Sequence, residues 1–545
     1  MKKVFNDFLR KTKFWRNGHR GYINEFDQLI KIRNALRLNR IEQYKSEFLL
    51  NFLFFTCFAF ILIIRVLLFF DVNINHIDSD QPLMWLGARD YSKGLFYEPR
   101  FYGQNYNTFM EALLAVPLLW STVPVYYAVP LITHILFLFP FFFSAFYLFI
   151  NKRKEQGALV LIILLCMPTG YDMMNSLPRG FVTGLFFTSF FVISFLNPKN
   201  LRWILINSIF AIVGFFVNPN STIVSLPFAV FVFLNNYKQI SYYYAMSLCI
   251  VTLVALHFFF NQFYRNHPDY IIHPLKLDVS LIFFMDNISQ MDNIFGKIGF
   301  FIEDNCLLLL GVFILLFFLL KNGDKIVFYA FLSFIVLIFI SFFTSKVNDG
   351  TPWVYFSYSR MFLGIPLAIY LFISKMEIKR NFVFFLGALA LGFSSYKLAN
   401  QSKQISEHTE SKRWVLLRLM SLQEALHLMN HYKTKCKEQN ANTLLVANNF
   451  WLSNFLVYGG PACFADFPQT METKSDRRYW VREKFENKTL SNFVYLSTVS
   501  DLDKRLINKT EATIRDLDNY GLFNVRDNKL PTYLFAKMVI EEERN

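Results

Sequence analysis

The chain has 545 residues, of which 54% are hydrophobic and only 17% charged, with 67 phenylalanines and a formal net charge of +15. Soluble domains carry about a quarter charged residues, so an ordinary soluble enzyme is excluded, as is disorder over most of the length. The positive excess leaves two readings, a nucleic-acid surface or a membrane protein with basic loops on one side, and the location of the charges decides between them.

In chain order, residues 1–47 are polar and basic, with twelve Lys and Arg against five acids. They lack the short apolar core and small-residue cleavage site of a signal peptide. The apolar run 48–70 is long enough to span about 30 Å as a helix. Arg65 within it is expected to snorkel or to pair locally. Further apolar runs lie at 124–150, 157–170, 180–196, 203–218, 222–235, 240–262, 304–320, 326–344, 358–374 and 381–397, which gives about eleven predicted spans in all. The stretch 109–120 is too short to cross and carries Glu111; it is read as an amphipathic helix lying at the interface.

With the basic N-terminus in the cytoplasm, the loops 151–156, 197–202, 235–239, 321–325 and 375–380 fall on the same side, and each is net positive. The charge excess is therefore a signature of membrane orientation, and no nucleic-acid partner is expected. The opposite side receives 71–123, short turns at 171–179 and 218–221, the loops 263–303 and 345–357, and residues 399–545. The last of these is polar, mixed in charge and large enough for a core of its own. Thr443–Ala447 and Phe493–Ser497 read as strands, and Trp414–His431 and Asp501–Leu517 as helices. The expected fold class is mainly α: a polytopic helix bundle with a small α/β domain at its C-terminal end. Its parts are a basic segment at 1–47, a membrane domain at 48–398 with its first outer loop at 71–123, and an outer domain at 399–545. The chain is expected in the plasma (inner) membrane, with its N-terminus cytoplasmic and its C-terminal domain periplasmic or extracellular.

Four of the six cysteines, Cys57, Cys166, Cys249 and Cys306, lie in or beside apolar runs, and no CxxC occurs. Cys436 and Cys463 share the C-terminal polar region, where an oxidising compartment would let them pair. In 263–303, His267, Asp269, His273, Asp278, Asp286 and Asp292 are of metal-ligating type, but their spacing fits no known site. A divalent metal is left open as a cofactor, with no ligand assigned.

The first outer loop carries the strongest chemical signal. Asp78 and Asp80 follow the first span, and Tyr102, Gln104, Asn105 and Tyr106 are of the types that stack on sugars and hydrogen-bond to them. A carboxylate beside a lipid-lined groove can act as a general base on a hydroxyl. Arg179 at the end of 168–180, and Lys346 and Arg360 in 346–370, where Tyr355 and Tyr358 stand beside them, are candidates for holding a phosphate, since guanidinium groups donate paired hydrogen bonds to it. Asn218–Ser221 is read as a tight turn.

The stretch from Asp80-Gln81, through Gly94 and Phe101-Tyr102-Gly103-Gln104-Asn105-Tyr106, to Glu111-Ala112-Leu113-Leu114-Ala115-Val116-Pro117-Leu118 resembles polytopic GT-C glycosyltransferases. These include bacterial aminoarabinose transferase-like enzymes and protein O-mannosyltransferases, and they use polyprenyl-phosphate sugars. Their first outer loop carries an Asp-Glu pair, where Gln81 here replaces the Glu. Arg360 and Pro366 match a segment near the family's lipid-phosphate pocket, and Trp451, Arg477, Arg478 and Trp480 are similar to its outer-domain aromatic and arginine pattern. The resemblance implies transfer of a sugar from a polyprenyl-phosphate donor to an acceptor hydroxyl on a glycan, lipid or protein. Asp80 would be the base, with Asp78 sharing the role; Arg360, Lys346 and Arg179 would take the donor phosphate. Gln81, Tyr102, Gln104, Asn105, Tyr106, Glu111 and Tyr358 would line the substrate site, and Trp451, Arg477, Arg478 and Trp480 the acceptor site. Two rival readings are a transporter or lipid flippase, and an O-antigen ligase or polymerase. The first needs ionisable groups near mid-membrane and often repeats. The second usually has its working loop late in the chain.

Overall fold

The computed structural model describes residues 21–104, 107–270, 277–410, 419–447, 453–473, 477–486, 488–497, 513–517, 522–532 and 535. The chain divides into two compact units, Met1–Thr56 and Cys57–Asn545. The first contributes the start of the long helix Gly21–Leu68, and apart from that helix everything below concerns the second.

Each predicted apolar run contains helix. Four helical stretches are long and apolar enough to cross a membrane by length and composition: Tyr44–Ile74, Val125–Ile150, Ile240–Asn266 and Arg380–Ala399. Shorter apolar helices occupy the runs at Leu201–Val217, Leu307–Lys321, Lys325–Ser341 and Tyr358–Ile373. Two runs expected to be continuous are broken. Lys154–Leu165 and Thr169–Ser176 meet at a 90° bend, because Pro168 between them has no N–H to continue the ladder. In 180–196, only Thr183–Phe186 and Phe191–Leu196 are helical. There the Thr188 hydroxyl bonds back to the Leu185 carbonyl at 2.8 Å and Ser189 bonds likewise to Phe186, which competes with helix continuation. Phenylalanines fill the spaces between helices as stacked pairs, such as Phe191 on Phe228 at 4.0 Å and Phe195 on Phe231 at 4.2 Å.

The bent segment is the best-anchored part of the bundle. All eight residues of Thr169–Ser176 are buried. Asp172 accepts from Arg65 Nη2 at 2.7 Å and from Lys397 Nζ at 2.6 Å, and Arg65 also reaches the Asp172 carbonyl at 3.2 Å. Arg65 therefore pairs across 107 residues instead of locally. Its guanidinium rests on Phe137, 4.1 Å from the ring centre. Asn73 donates to the Ser176 carbonyl at 2.8 Å, and its own side-chain oxygen meets His134 at 2.9 Å.

The segment 71–123 holds two helices, Gln81–Ser92 and Met110–Trp120. The first was not evident from its polar composition. In the second, Glu111, Ala112, Ala115 and Val116 are buried while Leu113, Leu114 and Trp120 are exposed, so its outer face is apolar and its one charge points inward, unlike the amphipathic division expected.

The C-terminal region contains β1 (Thr443–Val446), β2 (Gln469–Glu472), β3 (Asn492–Leu496), β4 (Thr513–Asp516) and β5 (Leu522–Arg526), in the order β2-β1-β3-β5-β4. β1 is parallel to β2 and β3, whereas β5 is antiparallel to β3 and β4. Residues 513–516 were expected to be helical but are a strand; the pairing of Ile514 with Val525 outweighs the local helical pattern. Helix Leu422–Glu438 opens on a capping box between Ser421 and Glu424, and the earlier part of its predicted range, 414–418, lies outside the described residues. Strand alternation gives the sheet two apolar faces. Leu445, Phe493, Tyr495, Phe523 and Val525 form one core. Leu444, Val446, Val494 and Leu496 join Leu83, Trp85, Tyr102 and Phe109 in another, so this face packs on the 71–123 segment. Cys436 and Cys463 are free thiols.

Asp172→Asn should destabilise the protein by about 3–5 kcal/mol, since it leaves two buried cations without their shared partner. Thermal unfolding in detergent should show this as a clear drop in Tm, and an unchanged Tm would remove the anchoring role.

Candidate functional site

The predicted site residues fall into three groups. The first forms at the start of helix Gln81–Ser92. Asp78 is fully buried, and its Oδ1 accepts from the backbone N–H groups of Asp80 at 3.0 Å and Gln81 at 3.1 Å. This satisfies two donors that a helix start leaves open, and Pro82 pre-sets the first turn. Asp78 Oδ2 pairs directly with Arg179 Nη2, and Asp80 Oδ2 lies 3.5 Å from the same nitrogen. Asp80 keeps 27% of its side chain exposed and so has a face open to a ligand. Burial pushes the Asp78 carboxyl above the ordinary carboxylate range; Arg179 opposes this, Asp80 adds to it, and the two N–H groups oppose it. The Gln81 amide is fully buried with no hydrogen-bond partner among the described residues.

Arg179 is held from every side. Its Nη1 donates to the Tyr355 carbonyl at 2.5 Å, its guanidinium lies 4.3 Å from the Phe356 ring centre, and the Tyr355 hydroxyl donates to the His76 carbonyl at 2.9 Å. The turn that carries it is clamped as well. Asn107 donates to the Arg179 carbonyl, Asn218 to the Gly180 carbonyl (both at 2.8 Å) and Asn220 to the Phe181 carbonyl at 2.6 Å. Buried Glu111 accepts from the Gly180 N–H at 2.8 Å. Asn218 and Asn220 thus do more than make the expected tight turn. Gly180 has φ +78°, and a Cβ there would run into the Asn107 side chain. These asparagines were not predicted as site residues, and only the cluster Asn218-Pro219-Asn220 in an otherwise apolar stretch hinted at them.

The second group is Lys346, Asp349 and Arg360. Lys346 Nζ is 2.5 Å and Arg360 Nη2 3.6 Å from Asp349 Oδ2, and Arg360 also donates to the Asp349 carbonyl. Tyr358 closes the loop by donating its N–H to the Thr351 carbonyl at 3.1 Å. The Arg360 carbonyl lies 3.5 Å from Asn220, the residue that grips Phe181.

The third group joins the C-terminal region to the 71–123 segment. Tyr97 stacks on Trp480 at 4.1 Å, while Tyr102 meets the same ring edge-on at 4.8 Å and donates to Asp90 at 2.7 Å. Arg478 is buried and donates to the Thr470 carbonyl at 2.8 Å, and Arg477 lies against Gly103. Tyr102, Arg477 and Trp480, predicted as substrate or acceptor contacts, therefore pack the two parts together, while Arg478, predicted likewise, is tied to β2 and Tyr458 within the C-terminal region. Gln104 donates its backbone N–H to the Phe101 carbonyl at 2.8 Å. Asn105, Tyr106, Trp451 and His273 lie outside the described residues. Among the described residues, no three His, Cys, Asp or Glu side chains come together as a metal site.

No family model and no curated protein sequence matches the chain. Two solved structures are similar to it over most of its length. The crystal structure of ArnT from Cupriavidus metallidurans in the apo state gives a TM-score of 0.54 at 10% identity, covering 86% of this chain and 97% of that one. The same protein bound to undecaprenyl phosphate gives 0.51 at 9% identity with the same coverage. The fold is ArnT-like. It is a mainly helical bundle with a small C-terminal sheet, the fold expected from the resemblance over residues 78–118.

In this ArnT-like fold a further carboxylate of the 71–123 segment is buried. Glu98 accepts from the Tyr264 hydroxyl at 2.9 Å. Burial pushes its carboxyl up to about 8, against the opposing effect of Tyr264 and the Gly103 N–H. The folded state therefore binds a proton that the unfolded chain releases above its ordinary value of 4.5. Stability from this group is complete below that value and is lost as pH rises through about 8. Glu98→Gln should flatten the Tm-against-pH curve across this window, and an unaltered slope would show that Glu98 is not its source. Gly180→Ala should cost about 1–2 kcal/mol from the left-handed backbone alone. It should also loosen Arg179, seen as a lower Tm than the backbone cost alone would give.

Proposed function

We propose that this protein is an integral-membrane glycosyltransferase. It moves a sugar from a polyprenyl-phosphate donor to an acceptor hydroxyl at the outer face of the plasma membrane. The observation that carries this reading is the pairing of an ArnT-like fold with a partly exposed carboxylate, Asp80, fixed beside a buried Arg179–Asp78 pair. One of the similar structures is of a protein bound to undecaprenyl phosphate, and the same class of donor is proposed here.

Asp80 is assigned as the general base that takes the proton from the attacking hydroxyl. Asp78 is better suited to positioning, because both of its oxygens are already engaged. Direct attack on the anomeric carbon, with phosphate as leaving group, inverts its configuration. Lys346 and Arg360 are assigned to the leaving phosphate, where charge develops as the bond breaks. Arg179, predicted as a third phosphate ligand, fits instead the task of orienting the two carboxylates. The division into a basic segment at 1–47, a membrane part at 48–398 and an outer part at 399–545 belongs to the same proposal, and the 71–123 segment places its reacting groups beneath the outer part.

A transporter or flippase would draw on the ionisable groups within the bundle, but Arg65, Asp172 and Lys397 satisfy one another and hold a bend in place. In purified protein supplied with a synthetic prenyl-phosphate sugar, Asp80→Asn should lower kcat by about 10²–10⁴-fold with Tm unchanged. Asp78→Asn should lower Tm as well, since it removes a buried partner of Arg179. Full transfer activity in Asp80→Asn would remove Asp80 as the base.

A further inference from the structure

The loop following helix Lys325–Ser341 places a carboxylate where a bound anion would lie. Asp349 Oδ2 is 2.5 Å from Lys346 Nζ and 3.6 Å from Arg360 Nη2. The two cationic side chains are each only 17% exposed, while that of Asp349 is 64% exposed. The cations are thus walled in, and the group between them faces outward. Two like charges brought this close repel unless an anion lies between them. The chain supplies that anion itself, from a position where the backbone has little room to shift. A Cβ at neighbouring Gly350 would come within 2.7 Å of the Tyr358 ring, and Thr351 accepts the Tyr358 N–H at 3.1 Å while donating its own to Phe356 at 2.8 Å. The same loop carries Tyr355 and Phe356, which hold Arg179.

We propose that Asp349 is an internal stand-in for the donor's phosphate. It keeps Lys346 and Arg360 together in the free protein and yields its place when a phosphate group arrives. A tethered carboxylate competes at high effective concentration. An incoming anion prevails when it carries more charge than a carboxylate or is itself held nearby by a lipid chain. Asp349 therefore sets both the affinity of the site and its discrimination against free anions. This rests on the reading of Lys346 and Arg360 as the phosphate-holding pair.

The test is binding of undecaprenyl phosphate to the full-length protein in nanodiscs, with inorganic phosphate as competitor. Asp349→Asn should bind the lipid about tenfold more tightly and let inorganic phosphate compete at about tenfold lower concentration. Asp349→Glu, which keeps the competing charge, should stay near wild type, and Arg360→Gln should bind both more weakly. If Arg360→Gln binds like wild type, the cation pair is not the phosphate site and the underlying reading falls. If Arg360→Gln weakens binding while Asp349→Asn leaves it unchanged or weakens it, the stand-in role is overturned and the reading of the pair survives. Tightening toward inorganic phosphate alone would overturn the lipid assignment.

Discussion

Much of this structure depends on one buried carboxylate. Asp172 lies between Arg65 and Lys397, on a short helix that turns 90° from the one before it. A helix bent inside an apolar bundle exposes carbonyls and charges that lipid cannot satisfy, so they have to be met by other parts of the chain. Arg65 and Lys397 meet them from far apart in sequence, and Asn73 caps the end at Ser176. The direction of the bent helix sets where the following turn emerges, and that turn delivers Arg179 to Asp78 and Asp80.

The site is organised by charges held in unequal states of confinement. Around Arg179, one carboxylate is fully enclosed and its neighbour is partly open. A confined pair defines the geometry, and the open member keeps a face toward solvent. Around Asp349 the order is reversed, with enclosed cations and an open anion. The loop 346–360 contributes to both clusters, through Tyr355 and Phe356 on one side and Lys346 and Arg360 on the other.

The apolar runs were legible because lipid-facing and buried helices share one plain signal, continuous hydrophobicity, and that signal marks existence better than continuity. It could not show that 157–170 bends or that 180–196 breaks, since Pro168 and the Thr188 and Ser189 hydroxyls act within otherwise apolar text. Helix Gln81–Ser92 was hidden for a different reason. It is buried almost all round, and Leu83, Met84 and Trp85 find their cover in helix Met110–Trp120 and in residues 455–463 of the C-terminal region, which no local pattern reveals. Asp78, Asp80, Arg179, Lys346 and Arg360 stood out as charges in telling places. Their partners Asn107, Asn218 and Asn220 did not, because an asparagine that grips a distant carbonyl looks like any loop residue. Trp480 and Arg478 carried a recognisable pattern, but their surroundings are those of packing groups.

The stacking of Tyr97 on Trp480, and the core shared between the early helix and the late sheet, also bear on how the protein is made. A ribosome delivers Leu83, Trp85 and Tyr102 long before Leu444 and Val494 exist to cover them. Until translation is nearly complete, this apolar surface has to wait at the membrane or be shielded by a chaperone. This part of the 71–123 segment is therefore covered late, and a nascent chain that stalls before Leu444 leaves it bare.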